Sequence, residues 1–271
     1  MADPRKRWRV RPGTRPRLGA VDTHATAGAP GDKAQTAERS AELVVELAEL
    51  QGRLWAEHRR ALLLVLQAID AGGKDGTIRK VFTGVNPQGV RVSSFKGPTL
   101  DELAHDFLWR IHRQTPAAGE IGVFNRSHYE DVLITRVDQI VPEAVWRPRY
   151  QAIRQFEAHL EASGTTVVKC FLHISKDEQA KRFRARLDDP SKRWKFAQAD
   201  LDVREKWDDY QKAFADAIGE TSTGAAPWYV VPADRKWYRD WAVLQILVGT
   251  LRDLDPQYPP EEEGLDAIVI T

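Results

Sequence analysis

Ala61-Leu62-Leu63-Leu64-Val65-Leu66-Gln67-Ala68-Ile69-Asp70-Ala71-Gly72-Gly73-Lys74-Asp75-Gly76-Thr77 runs from a nearly continuous apolar segment straight into glycines. A short apolar run with no polar alternation is what a strand needs when both of its faces are covered, as in a parallel sheet. A glycine-rich turn leaving such a strand and entering a helix, here expected to begin within Gly76 to Val81, aims several backbone N–H groups and the positive helix end at one point. Lys74 adds a full charge there. The chemistry suited to that point is phosphate binding.

Outward from this segment the chain alternates. Ala41, Leu43, Val44, Leu47, Leu50 and Leu54 recur at three- and four-residue steps, which predicts an amphipathic helix over Ala37 to His58. Further strands are expected at Val90 to Phe95, Glu120 to Phe124, Thr165 to Ile174 and Trp228 to Val231. Helices are expected over Leu100 to Gln114, Tyr129 to Thr135, Pro142 to Ala162 and Trp237 to Leu254. Strands alternating with helices predict an α/β three-layer sandwich with a five-stranded parallel sheet. The expected organisation is an irregular arm over 1–36, one domain over 37–260 carrying a charged insertion at about 177–218, and a tail over 261–271.

The glycine turn departs from the pattern G-x-x-x-x-G-K-[ST] in two places: Ala68 stands for the first glycine and Asp75 for the Ser/Thr. The Ser/Thr normally ligates magnesium, so Asp70 within the loop becomes the expected oxygen donor. Ala71, Gly72, Gly73, Asp75, Gly76 and Thr77 form the rest of the expected phosphate cradle. The third strand turns polar at its end, Asn125-Arg126-Ser127-His128-Tyr129-Glu130-Asp131, where open α/β sheets bind ligands. Arg126 suits bidentate phosphate contact. Glu130 is the candidate second carboxylate, because Asn125 stands where an aspartate is usual.

The insertion carries Lys181, Arg182, Arg184, Arg186, Lys192, Arg193 and Lys195, with Asp188, Asp189 and Pro190 breaking the helix. Trp194 and Phe196 are expected to anchor the segment when it folds down. A basic lid closing over phosphates excludes water and offsets developing charge. Arg79, Lys80 and Lys96 extend this positive track, which suits a long polyanion better than one nucleotide. Across 271 residues the net charge is only +1, so the global basic field of a nucleic-acid binder is missing and any anion site is local. The single cysteine, Cys170, excludes a disulfide framework, and the seven histidines show no zinc spacing. No stretch approaches the roughly 20 apolar residues of a membrane span, and the expected compartment is the cytosol.

In order and spanning most of the chain, Leu66 to Arg79, Gly84-Val85-Asn86-Pro87-Gln88-Gly89, Ser94-Phe95-Lys96, Gly119 to Asp131, Asp189 to Phe196 and Ala226-Pro227-Trp228 resemble the polyphosphate kinase 2 family. The resemblance implies a P-loop kinase-like fold with a helical lid. It also implies magnesium-dependent, reversible phosphoryl transfer between inorganic polyphosphate and nucleotides, and homo-oligomers. Asn125 with Glu130 resembles the branch that accepts nucleoside monophosphates as well as diphosphates, AMP and ADP with GMP and GDP as further candidates. Carried over, Asp70 and Lys74 belong to the loop, Asn125 and Arg126 to the motif at the end of the third strand, and Arg186, Lys192 and Lys195 to the lid; the residues themselves add Glu130 to the expected catalytic group, Asp70 and Glu130 as Mg2+ ligands, and Arg182 and Arg193 to the lid. Two other readings stay open on the residues alone. One is an ATP-dependent nucleoside monophosphate kinase, which Asp75 opposes. The other is a non-enzymatic polyanion-binding module, which the balanced charge opposes.

Overall fold

The computed structural model describes residues 3–265, 268 and 270; the expected tail over 261–271 therefore lies partly outside the described residues. Five parallel strands, β1 (Ala61–Gln67), β2 (Val90–Ser94), β3 (Ile121–Asn125), β4 (Thr165–His173) and β5 (Trp228–Pro232), form one sheet in the order β2-β3-β1-β4-β5. The strand that feeds the glycine turn is central, and every residue of it is buried. This is the α/β sandwich expected from the alternation.

In chain order the helices are α1 (Pro4–Arg7), α2 (Lys33–Glu57), α3 (Lys74–Val81), α4 (Leu100–Leu103), α5 (Trp109–His112), α6 (Ile134–Val137), α7 (Glu143–Ala162), α8 (Lys176–Asp188), α9 (Ala199–Glu205), α10 (Trp207–Thr221) and α11 (Lys236–Leu254). Helix α11 packs on α2, α3 and the β4–β5 side of the sheet, while α7 packs on β4 and on α10. Helix α2 begins at Lys33, ahead of the expected Ala37, because Asp32 caps it and Gln35 completes a capping box.

Two expected helices are corrected. Leu100 to Gln114 is not one helix: α4 and α5 are single turns, and Leu100 and Leu103 remain exposed, without a core to bury their stripe. Asp106 accepts from the Leu108 N–H at 3.0 Å between them and stabilises the break. Tyr129 to Thr135 is a 3-10 segment, His128–Val132, followed after Leu133 by the short α6.

The amino-terminal arm is fastened to the sheet. The Val10 N–H donates to Trp228 O at 2.8 Å and the Val230 N–H to Trp8 O at 2.9 Å, with an antiparallel bridge between Arg9 and Tyr229. Trp8 Nε1 donates to the Tyr238 hydroxyl at 2.7 Å. Cys170 is buried in β4 with a free thiol, whose pKa burial raises.

Candidate active site

The glycine turn leaves β1 at the carboxyl edge of the sheet and enters α3 at Lys74, two residues earlier than Gly76. Gly73 makes the early start possible: at φ +102° it is a left-handed cap. Gly72 is needed for a different reason, since a Cβ there would collide with Ala68 and the Ile69 carbonyl. Ala71, a non-glycine at φ +63°, carries strain that marks this turn as held by its surroundings. Among the described residues, the first-turn N–H groups of Lys74, Asp75 and Gly76 have no acceptor, as befits a helix start that presents amides to an anion.

Lys74 lies across the turn, 9% exposed, with Nζ donating to the Ala68 carbonyl at 2.9 Å. Burial, reinforced by Arg126, lowers its pKa, while Asp70, Glu130 and Asp75 oppose the shift. Arg126, at φ +63° just past the end of β3, donates to Asp70 Oδ1 at 2.7 Å. Glu130 completes this group. Gln67, with its amide turned toward the carboxylate, donates to Glu130 Oε1 at 3.0 Å and accepts from the Ser127 N–H at 3.1 Å. Burial raises the Glu130 pKa despite Arg126 and Lys74. Asn125 Nδ2 donates to Asp75 Oδ1 at 2.6 Å, and Lys195 Nζ stands 3.9 Å from Asp75 Oδ2. The residue that replaces the usual Ser/Thr therefore links the loop to β3 and to the charged insertion.

The insertion does not act as one unit. Arg186 ion-pairs with Asp200 at 3.7 Å, Arg193 donates to the Leu187 carbonyl, and Lys192 pairs with Asp189. Arg186 stands in the last turn of α8, and Lys192, Arg193 and Lys195 on the α8–α9 connection. Phe196 anchors on Phe183, but Trp194 does not anchor: it is 77% exposed, with Lys195 Nζ over its ring. Arg182, expected in the lid, is instead buried beneath the glycine turn, where it donates to the carbonyls of Ala71 and Gly72 at 2.9 and 3.0 Å and to Ala233 O at 2.6 Å. It braces the strained turn from below. Arg79 and Lys96 are exposed, and no hydrogen bond or ion pair among the described residues joins either side chain to the loop.

A model of the family described as polyphosphate kinase 2 matches residues 31–259. The chain belongs to the polyphosphate kinase 2 family. It is 55% identical to the AMP/ADP-polyphosphate phosphotransferase of Meiothermus ruber over 98% of this chain and 99% of that one. It is 52% identical to the ADP-polyphosphate phosphotransferase of Rhodopseudomonas palustris over 80% and 79% of the two chains. The crystal structure of polyphosphate kinase 2 from Arthrobacter aurescens superposes with a TM-score of 0.94 at 47% identity, covering 98% of this chain and 95% of that one. As a member of this family the chain is a kinase that transfers phosphoryl groups between polyphosphate and nucleotides. The ATP-dependent nucleoside monophosphate kinase and the non-enzymatic module give way to this assignment.

In this polyphosphate kinase 2 chain several site residues escape the motif. Arg239, on α11 and 2% exposed, fills the space beside Gly73 and pairs with Asp240, which in turn accepts from Thr77 Oγ1 at 3.3 Å. Gln179 Nε2 donates to the Asp70 carbonyl at 3.0 Å. The available signal was Lys236, Arg239 and Asp240 opening a helix whose middle, from Trp241 to Gly249, is apolar but for Gln245. A Cβ on Gly73 would fall within the Arg239 guanidinium. Gly73→Ala is therefore expected to cost about 1–3 kcal/mol of backbone strain, displace Arg239, and lower turnover at least about a hundredfold. Gly97, whose Cβ would meet nothing, serves as the control in the same denaturation and turnover measurements.

Proposed function

We propose that the chain catalyses reversible, Mg2+-dependent transfer between inorganic polyphosphate and both nucleoside mono- and diphosphates, AMP and ADP first. The observation that carries this reading is the meeting of Lys74, Arg126, Asp70 and Glu130 at the carboxyl edges of β1 and β3. Monophosphate acceptance is supported by Asn125 and Glu130 standing at the loop, and by the similarity to a relative named for both AMP and ADP.

The metal reading rests on the donor set. Among the described residues no cluster of three or more His, Cys, Asp or Glu forms a protein-only cage. Two carboxylates at a phosphate-binding turn fit a hard cation that completes its shell with water and substrate phosphates, and Asp70 and Glu130 would hold it. Bound there, Mg2+ would supply charge neutralisation to the substrate phosphates.

Transfer requires little covalent help from the protein, since phosphate nucleophiles are already ionised near neutral pH. Positioning and charge dominate. The Lys74 ammonium exchanges the Ala68 carbonyl for a phosphate oxygen, the first-turn amides hold the same group, and Arg126 spans equatorial oxygens. Arg186, Lys192, Arg193 and Lys195 close on the remaining negative charge and exclude water. Arg182 and Arg239 hold the turn rather than the substrate. Arg79 and Lys96 are proposed to guide the chain of a long polyanion. A cytosolic setting, free of membrane and nucleic acid, and a homo-oligomeric state complete the reading; for the membrane, no described helix is long and apolar enough to cross one.

The test is to supply long-chain polyphosphate and Mg2+ with AMP, ADP, GMP or GDP separately and quantify each product. No polyphosphate-dependent product with AMP removes the monophosphate reading. The raised Glu130 pKa sets a further expectation. In the metal-free protein its carboxylate is lost as pH falls through a value above the ordinary 4.5, so proton and Mg2+ compete for it and, at subsaturating Mg2+, the acid limb of kcat/KM lies above that value. In Glu130→Gln the enzyme's share of that limb disappears from the residual activity, while the substrates' own titration stays. An unchanged limb contradicts the assignment.

A further inference from the structure

Between Arg126 and Glu130 the chain forms an arch whose middle is nailed into the core. Ser127, His128 and Tyr129 are fully buried, and only the two ends are accessible to the loop. On one side the arch is tied to β1, since the Ser127 hydroxyl lies 3.1 Å from the Gln67 amide and accepts from the Tyr129 N–H at 3.2 Å. On the other side it rests on a buried ion pair, Lys169 of β4 with Glu157 of α7, neither of them more than 1% exposed.

The pair is saturated. Lys169 Nζ donates to Glu157 Oε2, to the Tyr129 hydroxyl oxygen at 3.1 Å and to the Thr221 carbonyl at 2.8 Å, which uses all three of its N–H groups. The Tyr129 hydroxyl donates to Glu157 Oε1 at 2.7 Å and stands 2.9 Å from Thr221 Oγ1, which also accepts from Trp228 Nε1 at 2.9 Å. His128 Nε2 lies 3.3 Å from the same carboxylate. Thr221 is the last residue of α10, the return limb of the charged insertion. One phenol oxygen therefore joins the Arg126–Glu130 arch, the central part of the sheet and the root of the lid.

A buried ion pair is a poor source of net stability, because an apolar pair of similar volume is often as stabilising or more so. What it does impose is geometry: each donor has one acceptor direction, and a displacement of the arch leaves one ammonium N–H and one carboxylate oxygen of the still-joined pair without the Tyr129 hydroxyl. We propose that the Lys169–Glu157 pair, acting through the Tyr129 hydroxyl, is a positioning device that sets where Arg126 and Glu130 stand over the glycine loop and registers the lid root to them. The inference rests on the reading of Arg126 and Glu130 as groups of the reacting site. Tyr129, Lys169 and Glu157 are positioning residues in it and touch no substrate.

Two variants test it, Tyr129→Phe, which keeps the ring and removes the shared oxygen, and the double variant Glu157→Leu with Lys169→Met, which replaces the pair by apolar volume. For each, kcat, the two KM values and the thermal midpoint are measured beside wild type. The expected result for Tyr129→Phe is a fall in kcat of about tenfold with both KM values within about threefold and a midpoint lowered by several degrees, since a buried ammonium N–H and carboxylate oxygen lose their partner. The double variant keeps or raises the midpoint and still loses kcat by a similar factor. A Tyr129→Phe protein with kcat within about twofold of wild type overturns the proposal. So does a folded double variant with wild-type kcat, which would make the network a packing feature. If the double variant does not fold, Tyr129→Phe alone decides. Arg126→Ala, assayed alongside, separates the two levels: full turnover there overturns the site reading itself, whereas its loss with unimpaired Tyr129→Phe overturns only the positioning role.

Discussion

Lys74→Ala is expected to lower polyphosphate-dependent turnover by at least about 10³-fold while leaving the protein folded. The loss is large because this ammonium is the only positive charge within residues 68–77, where phosphate is proposed to bind, and the residue after it, Asp75, offers no hydroxyl to compensate. The fold should tolerate it. Burial lowers the Lys74 pKa, so the ammonium is easier to form in the unfolded chain, and protonation opposes folding as pH falls. Removing the group takes away that penalty and leaves only the Ala68 carbonyl without its donor. The thermal midpoint should shift by no more than about 4 °C. Turnover within tenfold of wild type would remove the turn from the reaction.

Arg126→Ala should lower turnover by about 10²- to 10³-fold, and Arg126→Lys should recover little of it, because a point charge does not reproduce the planar fork. Without the guanidinium, Asp70 and Glu130 lose the cation between them and repel each other and the incoming phosphates. Arg126 also lowers the Lys74 pKa, so its removal raises that pKa and strengthens the charge of the lysine without restoring alignment. Initial-rate measurements over both substrate concentrations distinguish this from simple weakened binding: kcat falls, not KM alone. A change confined to KM would make Arg126 a binding group only.

The core of this site was legible because its signals are local. A buried strand, two glycines and a lysine within a few residues specify a turn whatever surrounds it, and the polar end of β3 follows from where parallel strands place their carboxyl edge. Arg182 shows where local reading stops. In sequence it is one basic residue among seven on a charged stretch; in space α8 lies with that face beneath the turn, so its guanidinium donates to backbone carbonyls. Arg239 carried only the weak signal of charges opening an apolar helix, since a helix remote in sequence delivers it to Gly73. The failure over Leu100 to Gln114 was of another kind: periodicity requires a surface to pack on, and this segment has little. The Lys169–Glu157 pair gave no periodic or motif signal, because a lysine inside an apolar strand and a glutamate on an amphipathic helix declare themselves only when they meet.

The amino-terminal strand-like contact at Trp8 to Val10 has a meaning beyond anchoring. β5 is an outer strand of the sheet, and a bare outer strand offers unpaired N–H and C=O groups to any second chain. By occupying the Trp228 carbonyl and the Val230 N–H, the arm caps that ladder from within the same molecule. A chain shortened past Val10 is expected to keep its glycine turn and to expose a template for self-association, read as a rise in light scattering with concentration.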